Sequence, residues 1–319
     1  MNFTSVLKPY KSVFVVCDRN VKGYALQLGN YPLMEIEATE TTKTMDTVLG
    51  ICRWLLDQNA DRKALLLAVG GGVTTDMVGF AASIYKRGIR YANVPTTLLS
   101  QVDAAIGGKT GVNLDSYKNI LGVIRQPEFT CILPETLQTL PEREFKSGSA
   151  EMLKTFIIKN KHNNYERAVA VFKAYNEYGV RMFANPDFFA ELSDLIQEAA
   201  AVKQEIVAKD EFETGARRKL NLGHTWGHAI EWYQHTHPCD NPYTHGEAVA
   251  IGIIQAAKFA NSDITNKLEE DFKTCGLPTE LPCAPEELEA AMHKDKKADG
   301  AKIRYVLPLE IGKVIVKLL

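Results

Sequence analysis

The chain has 319 residues, of which 37 are Lys or Arg and 39 are Asp or Glu, so its formal net charge is −2. This near-neutral balance argues against a protein whose overall basic charge recruits nucleic acid or an anionic membrane. With 45 % hydrophobic and 24 % charged residues, the composition is that of a globular protein long enough for two domains.

The spacing of the cysteines and the first ten residues indicate in which cellular compartment the protein is expected. The six cysteines are scattered and form no Cys-x-x-Cys pair, which argues against a zinc ribbon or a disulfide framework. The first residues, MNFTSVLKPY, lack the apolar core of a signal peptide, and no apolar run reaches the roughly 20 residues that cross a bilayer. We therefore expect a reduced, cytoplasmic protein without nucleic-acid or membrane partners.

In the first half of the chain, patterns typical of strands and of helices alternate. Such alternation predicts a parallel sheet with helices on both faces. The predicted elements are a strand at Ser12–Cys17, a helix at Lys43–Asn59, a strand at Ala64–Val69, a helix at Asp76–Tyr85, and strands at Arg90–Val94 and Thr130–Leu133.

After Pro141, long helical patterns dominate. We place a domain boundary near 140–150 and expect an α/β domain with a Rossmann-like parallel sheet over 1–145, followed by a mainly α-helical domain over 146–319. In this second part, helices are predicted at 164–179, 187–209, 224–236, 246–260 and 265–274, and strands at Ile303–Leu307 and Lys313–Lys317.

A glycine turn follows the predicted strand Ala64–Val69. Gly70-Gly71-Gly72 stands where a dinucleotide pyrophosphate can meet backbone N–H groups at a helix N-terminus. The fingerprint Gly-x-Gly-x-x-Gly fails because position 75 is Thr, and a tight strand-to-helix turn explains the glycines as well. Asp18 ends the first strand, where its carboxylate can bind a ribose hydroxyl or form a turn.

A second glycine-rich segment, Gly107-Gly108-Lys109-Thr110-Gly111, resembles part of a phosphate loop. It lacks the P-loop spacing because Asp103 stands where the first glycine would fall, so a nucleotide triphosphatase is not predicted. Lys109, Lys118 and Asn119 are consistent with a small-anion site or, equally, with solvated surface side chains.

Three histidines in an apolar helical context favour a metal site. His224 and His228 are four residues apart, so both imidazoles lie on one helix face and can share a metal. The metalloprotease motif His-Glu-x-x-His is excluded because position 225 is Thr. His245 offers a third imidazole, and spacing alone does not choose among the three. His235 and His237 are expected to be solvated in a polar loop.

Charged side chains flank these motifs. Glu151 and Lys154 are three residues apart on one helix face, a spacing that usually marks a surface pair. Lys203 and Arg217 enclose an acidic stretch, which by itself describes a solvated helix end.

Taken in order, these segments resemble the 3-dehydroquinate synthase family, sugar phosphate cyclases of the shikimate pathway. The resemblance covers nearly the whole chain. Its main motifs are Gly70-Gly71-Gly72-x-x-x-Asp76, Val94-Pro95-Thr96-Thr97, Gly107-Gly108-Lys109-Thr110-Gly111-Val112-Asn113, Ala150-Glu151-x-x-Lys154, Asn221-x-Gly223-His224-Thr225-x-Gly227-His228 and His245-Gly246-Glu247.

The resemblance implies a role for individual residues. A divalent metal, zinc or cobalt, would be held by Glu151, His224 and His245. Catalytic residues would be Lys109, Lys154, Lys203, Arg217, Asn221, His228 and Glu213. Further substrate contacts would be Arg87, Asp103, Lys118, Asn119 and Lys296. NAD would be bound by Asp18, Asn20, Glu40, Lys43, Gly71, Gly72, Val73, Asp76, Thr96, Thr97, Asp103, Lys109, Lys118, Thr139 and Leu140.

The family also implies a reaction and an assembly. The substrate would be 3-deoxy-D-arabino-heptulosonate 7-phosphate, converted to 3-dehydroquinate and phosphate. The steps would be transient oxidation by NAD, phosphate elimination, reduction, ring opening and intramolecular aldol closure. The first domain would bind NAD and the second the metal and substrate. Basic residues of the motifs would converge on one cleft, with Arg87 reaching the neighbouring subunit's site in a homodimer.

The motifs are compatible with two other functions, and the sequence departs from the family pattern at two places. The alternatives are another sugar phosphate cyclase and a metal- and NAD-dependent polyol dehydrogenase of the glycerol dehydrogenase kind. Thr75 stands where many relatives carry Gly, and we expect a local change there without loss of cofactor binding. The polar stretch between Glu231 and His245 is longer than the motif needs.

Overall fold

The computed structural model describes residues 3–115, 117–288, 292 and 302–319. The chain divides into two compact units, Met1–Leu140 and Pro141–Leu319. Among the described residues, no helix has both the length and the apolarity needed to span a lipid bilayer. The predicted substrate residue Lys296 lies outside the described part of the chain.

The first unit is built on a four-stranded parallel sheet with the strand order β2-β1-β3-β4. Every residue of β3 is buried because the strand has a neighbour on each side and helices over both faces. This arrangement confirms the predicted α/β class. The strands are β1 (Val13–Asp18), β2 (Leu33–Ile36), β3 (Leu65–Gly70) and β4 (Arg90–Pro95).

Helices cover the two faces of this sheet through two separate apolar clusters. Alternate residues of β1 enter different clusters: Phe14 and Val16 join the cluster of α3 and α4, whereas Val15 joins the opposite one. The period-2 alternation of the strand therefore produces the predicted helix layers. The helices of this unit are α1 (Phe3–Leu7), α2 (Lys22–Gln27), α3 (Met45–Asp57) and α4 (Gly72–Ile84).

Two predictions for the first unit need correction. Helix α4 begins at Gly72, before the predicted Asp76, because the Thr75 N–H already donates to the Gly71 carbonyl at 3.1 Å. The predicted strand Thr130–Leu133 is wrong. Only Thr130 pairs, as a parallel bridge with Asn93. Pro134 has no N–H to donate and begins a short 3₁₀ turn, which ends the pairing.

The segment with the Gly107–Gly111 motif forms an antiparallel hairpin that the strand prediction missed. Its strands are β5 (Lys109–Leu114) and β6 (Tyr117–Ile124), and Gly111 pairs with Gly122. A Cβ on Gly111 would lie 2.5 Å from the Leu121 carbonyl oxygen, so these glycines are explained by close strand packing.

The second unit is mainly helical and ends in an antiparallel hairpin, which confirms the predicted fold class for this half. Helix α5 was anticipated only at its Glu151 motif, and the remaining helices and both strands match their predictions closely. The elements are α5 (Glu142–Ile158), α6 (Asn164–Tyr178), α7 (Pro186–Lys209), α8 (His224–Thr236), α9 (His245–Phe259), α10 (Thr265–Thr274), β7 (Arg304–Glu310) and β8 (Lys313–Leu318).

Glycines allow helices α5, α8 and α9 to approach one another closely. A Cβ on Gly246 would lie 1.9 Å from the Ser147 carbonyl oxygen in α5, and one on Gly252 would lie 2.0 Å from the Gly223 carbonyl oxygen. Gly223 itself has φ of 79°, a left-handed conformation that favours glycine. Helix α9 therefore lies against α5 at Gly246 and against the start of α8 at Gly252.

Candidate active site

The close helix contacts bring one carboxylate and two imidazoles together. Glu151 lies in α5, His224 begins α8 and His245 begins α9. The His245 Nε2 atom is 3.6 Å from Glu151 Oε1, and the His224 Nε2 atom is 3.9 Å from the same oxygen. Ligand atoms of all three residues lie within 4.8 Å of one another. The separation is that of groups able to share one metal ion.

The surroundings of Glu151 fit a divalent cation. Its side chain is fully buried, and its Oε1 atom has no hydrogen-bond partner among the described residues. The Lys154 ammonium, also buried, forms an ion pair with Oε2. A buried carboxylate without hydrogen bonds is costly unless positive charge neutralises it. Two imidazoles and one carboxylate form a catalytic zinc set that leaves a position open for substrate.

Each histidine also has a partner for its second ring nitrogen. The His224 Nδ1 atom is 3.1 Å from the Leu222 carbonyl oxygen, and the His245 Nδ1 atom is 3.4 Å from Glu231 Oε1. These partners leave both Nε2 atoms directed towards Glu151, as outer partners of metal-binding histidines do. Glu231 was named only as the start of the polar stretch before His245, and it received no role there.

The electrostatic surroundings of the two histidines differ. Burial, together with the positive charge of Lys154, lowers the pKa of His224 well below its usual value and favours the neutral form that binds metals. Burial also acts to lower the pKa of His245. Its interactions with the Glu231 and Glu151 carboxylates outweigh that effect and raise the pKa of this residue.

His228 lies beside this cluster without belonging to it. Its ring centroid is 5.4 Å from that of His224 and 6.4 Å from that of His245. Spacing had left the choice of imidazoles open, and the geometry groups His224 and His245 with Glu151. His228 therefore stays outside the group of candidate metal ligands.

A capping box and an arginine hold the start of α9. The Thr244 hydroxyl accepts the Glu247 N–H at 3.3 Å, and the Glu247 carboxylate accepts the Thr244 N–H at 2.7 Å. Arg143 of α5 donates to Glu247 at 2.8 Å and to the Pro242 carbonyl at 2.6 Å. These contacts fix the residue before His245. The pattern Thr-x-x-Glu was readable in the sequence, whereas the partner Arg143 was not.

The basic side chains near the acidic stretch are not solvated. Lys203 in α7 and Arg217 in the turn Ala216–Asn221 are both buried. The Asn221 side-chain amide donates to the Glu213 carboxylate. Polar groups that the resemblance assigns to catalysis thus lie within one structured segment of the second unit.

The stretch between Glu231 and His245 is partly helical. Helix α8 continues to Thr236, so only residues 237–244 lie between the helices. The expectation that His235 lies in a loop is wrong, because it occupies the last turn of α8, where it is exposed. The His237 ring stacks on Tyr233 with a centroid distance of 4.2 Å.

In the first unit, a polar network joins three segments. The buried Lys43 ammonium donates to Asp76 and to the Asn119 side-chain oxygen, both at 2.6 Å. Asn113 donates to the Glu40 carboxylate at 3.0 Å and accepts the Asn119 N–H at 2.9 Å. Four of these five residues are among the expected cofactor and substrate contacts. Asn113 was quoted in a motif without a role, and it connects them.

The glycine turn lies at the carboxyl end of β3. Gly71 is the N-cap of α4, and a Cβ there would lie 3.0 Å from the Thr97 Cγ2 atom. Bare backbone N–H groups at a helix N-terminus suit an anionic group. Thr75 lies in the first turn of α4 and donates its hydroxyl to the Gly72 carbonyl at 3.0 Å. The helix therefore accommodates the residue that replaces the usual glycine.

The remaining expected residues occupy ends of strands and turns in the first unit. The Asp18 side chain accepts the Asn20 N–H at 2.9 Å, so it does form a turn. Arg87 lies in a turn and has φ of 67°. The others are Val73 in α4, Thr96 after β4, Asp103 in the turn Ser100–Ala104, Lys109 in β5, Lys118 in β6, and Thr139 and Leu140 at the end of a 3₁₀ turn.

Comparison with known proteins agrees with this geometry. Residues 33–147 match the 3-dehydroquinate synthase N-terminal family and residues 148–298 match the C-terminal one. The chain belongs to the 3-dehydroquinate synthase family. The family prediction is confirmed. The 3-dehydroquinate synthase of Dictyoglomus thermophilum is 40 % identical over 298 residues, which are 91 % of this chain and 79 % of that protein.

Solved structures extend the comparison to other cyclases. A 2-epi-5-epi-valiolone synthase from Streptomyces hygroscopicus, with NAD+ and Zn2+ bound, has a TM-score of 0.84 and 27 % identity, covering 98 % of this chain and 88 % of its own. A 2-deoxy-scyllo-inosose synthase complexed with carbaglucose-6-phosphate, NAD+ and Co2+ also has a TM-score of 0.84, with 25 % identity over 99 % of this 3-dehydroquinate synthase family member and 91 % of that chain.

Proposed function

We propose that this protein converts 3-deoxy-D-arabino-heptulosonate 7-phosphate to 3-dehydroquinate and phosphate, with NAD and one divalent metal ion. The observation that carries the proposal is the cluster of the buried Glu151 with the partly exposed His224 and His245, in a chain whose two halves match the family. The 40 % identity to a 3-dehydroquinate synthase favours this activity over that of the cyclases at 27 % and 25 %.

The residues present in the two units are suitable for binding a metal ion and NAD. The metal ion, zinc or cobalt, would neutralise the Glu151 carboxylate and bind the His224 and His245 Nε2 atoms. NAD would place its pyrophosphate at the N-terminus of α4, beside Gly71 and Gly72. Asp18, Asn20, Val73, Thr96, Thr97, Thr139 and Leu140, together with the Lys43 network, would supply the remaining contacts.

When bound, the two groups supply reversible hydride transfer and polarisation of the oxygen at the oxidised carbon. The residues of the chain bind and orient the substrate. Lys154, Lys203 and Arg217 offer positive charge to a phosphate and a carboxylate, and buried cations bind anions strongly because water does not screen them. His228 and Asn221 would donate hydrogen bonds.

Proton transfer at the elimination step needs no separate base in this proposal. Oxidation to a ketone makes the adjacent C–H acidic, and the departing phosphate accepts that proton as the C–O bond breaks. The chain then has to fix the conformation of one sugar phosphate. Asp103, Lys109, Lys118, Asn119 and Glu213 complete the set of residues that would do so.

We also propose a homodimer in which Arg87 contributes to the neighbouring subunit's phosphate site. The strained turn of Lys86, Arg87 and Gly88, with φ of 46°, 67° and 113°, supports a functional use of this segment. Mixing an Arg87→Ala protein with a Lys109→Ala protein should restore part of the activity only if subunits share sites.

The free state of all six cysteines supports a cytoplasmic location.

The decisive experiment is incubation with the heptulosonate phosphate, NAD and ZnCl2, with phosphate release and 3-dehydroquinate formation measured together. Both products are expected in equal amounts, with NAD unchanged at the end. Accumulation of NADH and a ketone would instead show a polyol dehydrogenase. Failure to release phosphate from this sugar, with release from another sugar phosphate, would show a different cyclase.

A further inference from the structure

One carboxylate without a role so far closes the loop after α7. Asp210 follows the last residue of that helix. Its Oδ1 atom accepts the Thr214 N–H at 2.9 Å and the Thr214 hydroxyl at 3.1 Å. Its Oδ2 atom accepts the Gly215 N–H at 2.7 Å and the Arg217 N–H at 2.9 Å. Two oxygens thus bind four donors and fold residues 210–217 back on themselves.

The loop that Asp210 closes carries two of the expected catalytic groups, Glu213 and Arg217, and a third, Asn221, follows it in the chain. The Arg217 guanidinium donates to the Glu211 carbonyl, and the Asn221 amide donates to the Glu213 carboxylate. Glu213 has φ of 59°, a left-handed conformation that is unfavourable for a residue with a Cβ. Such a conformation persists only where surrounding contacts enforce it. Asp210 precedes Glu213 in sequence and its three donor residues follow it, so these hydrogen bonds close the chain around Glu213.

The charge of Asp210 is maintained by the same contacts. Hydrogen bonds from the backbone N–H groups of Arg217, Gly215 and Thr214 lower the pKa of this carboxyl to about 2. The side chain is therefore an anion at neutral pH. Both of its oxygens can then accept hydrogen bonds, as the four donors require. An amide at this position would turn an NH2 group towards backbone N–H donors.

We infer that Asp210 is a positioning residue for the anionic sugar phosphate, acting through Arg217, Glu213 and Asn221. This inference rests on the proposed function. Asp210 is partly exposed, and the hydrogen bonds that its side chain forms with described residues all lie within this loop. Loss of the Asp210 carboxylate should therefore change the orientation of the Arg217, Glu213 and Asn221 side chains more than it changes the stability of the unit.

The test compares Asp210→Asn with the wild type in steady-state kinetics and in direct titrations with NAD and with Zn2+. We expect kcat/KM for the heptulosonate phosphate to fall about 10- to 100-fold, since small misplacements of binding groups have effects of this size. Most of the change should appear in KM for the sugar phosphate. The dissociation constants for NAD and Zn2+ and the melting temperature should stay within error.

Two matched variants sharpen the result. Thr214→Val removes only the hydroxyl donor and should weaken kcat/KM a few-fold, in the same direction. Asp263→Asn removes an exposed carboxylate elsewhere in this unit and should leave all parameters unchanged.

The outcomes separate the inference from the proposed function. A wild-type protein that releases no phosphate would overturn the proposed function itself. An active wild type with unchanged KM and kcat in both loop variants would overturn the role of Asp210. Loss of zinc binding or of folding in Asp210→Asn, with normal kinetics in Thr214→Val, would assign Asp210 a purely structural part.

Discussion

The polar network of the first unit and the metal cluster of the second are built in different ways. In the first, side chains of Glu40, Lys43 and Asn113 meet across short loops and strand ends through direct hydrogen bonds. In the second, Glu151, His224 and His245 meet because three helices pack closely at glycines. The network thus depends on particular polar partners, and the cluster depends on helix packing.

The carboxylates of the two sites differ in burial, whereas their basic members do not follow this division: Lys43 of the network is buried, and the His245 side chain of the cluster is 34 % exposed. Glu151 and Lys154 are 0 % and 1 % exposed, whereas the Asp76 side chain is 19 % exposed and Glu40 is open to solvent. Substitutions that disturb the cluster should therefore reduce folding stability together with metal affinity. Substitutions in the network should mainly weaken ligand binding, since water can replace part of what is lost.

The strongest test of this comparison is Gly246→Ala. The added Cβ would lie 1.9 Å from a backbone oxygen of α5, so the two helices have to separate and carry His245 away from Glu151. We expect the free energy of unfolding to fall by about 3 kcal/mol, the upper part of the range for overpacking. Zinc content measured by mass spectrometry should fall to a small fraction of one ion per chain.

Gly50→Ala is the matched control, because the same methyl group at Gly50 in α3 would contact nothing within 4 Å. It should leave zinc content unchanged and raise stability by roughly 0.5–1 kcal/mol, as alanine does in helices. A Gly246→Ala protein with full zinc content and wild-type urea unfolding would refute the account of the cluster as a product of helix packing.

Single histidine substitutions, which disturb the structure less than Gly246→Ala, test which histidines bind the metal. His245→Ala should weaken zinc binding more than 100-fold, because the loss of a direct ligand exceeds the 10- to 100-fold effect of outer partners. His228→Ala should keep zinc affinity within a few-fold and lose turnover. Isothermal titration with a competing chelator measures both. Equal loss of zinc in the two variants would place His228 among the ligands.

Local sequence signals were sufficient for the fold class and for the glycine turn. A buried apolar run, a glycine cluster and a helical pattern are contiguous in the sequence, so the turn before α4 could be predicted from residues 64–85 alone. The metal cluster could not, because Glu151 and His245 are distant in sequence. Spacing left three histidines as candidates, and only the resemblance and the helix packing separate His228 from the others.

The errors in prediction have equally physical causes. Thr130–Leu133 has the composition of a strand, but Pro134 interrupts its pairing, and that effect depends on the neighbouring strand. No strand was predicted at β5 or β6. The glycines of Gly107–Gly111 resembled part of a phosphate loop, whereas in the structure Gly111 and Gly122 allow close strand packing. The contacts of Arg143, Asn113 and Asp210 join residues whose partners no local pattern identifies.

In the first unit, Asn113→Ala tests whether hydrogen bonds alone hold the network. The variant removes the bond to Glu40 and the acceptor for the Asn119 N–H. We expect NAD to bind about 5- to 10-fold more weakly, roughly the value of one to two net hydrogen bonds. Zinc affinity should not change. Fluorescence titration with NAD measures the effect, and Asn261→Ala, which changes an exposed asparagine of the second unit, serves as control.

The smallest effect is expected where the chain departs from its family pattern, at Thr75. Gly in this position would remove the hydroxyl bond to Gly72 and add backbone freedom in the first turn of α4. Thr75→Gly should therefore lower the free energy of unfolding by about 1 kcal/mol and change NAD affinity less than two-fold. The free energy of unfolding of Thr75→Ser, which keeps the hydroxyl, should lie between those of the wild type and Thr75→Gly. A ten-fold change in NAD affinity would show that this residue contributes to the cofactor site directly, and that the backbone N–H groups at Gly71 and Gly72 do not suffice.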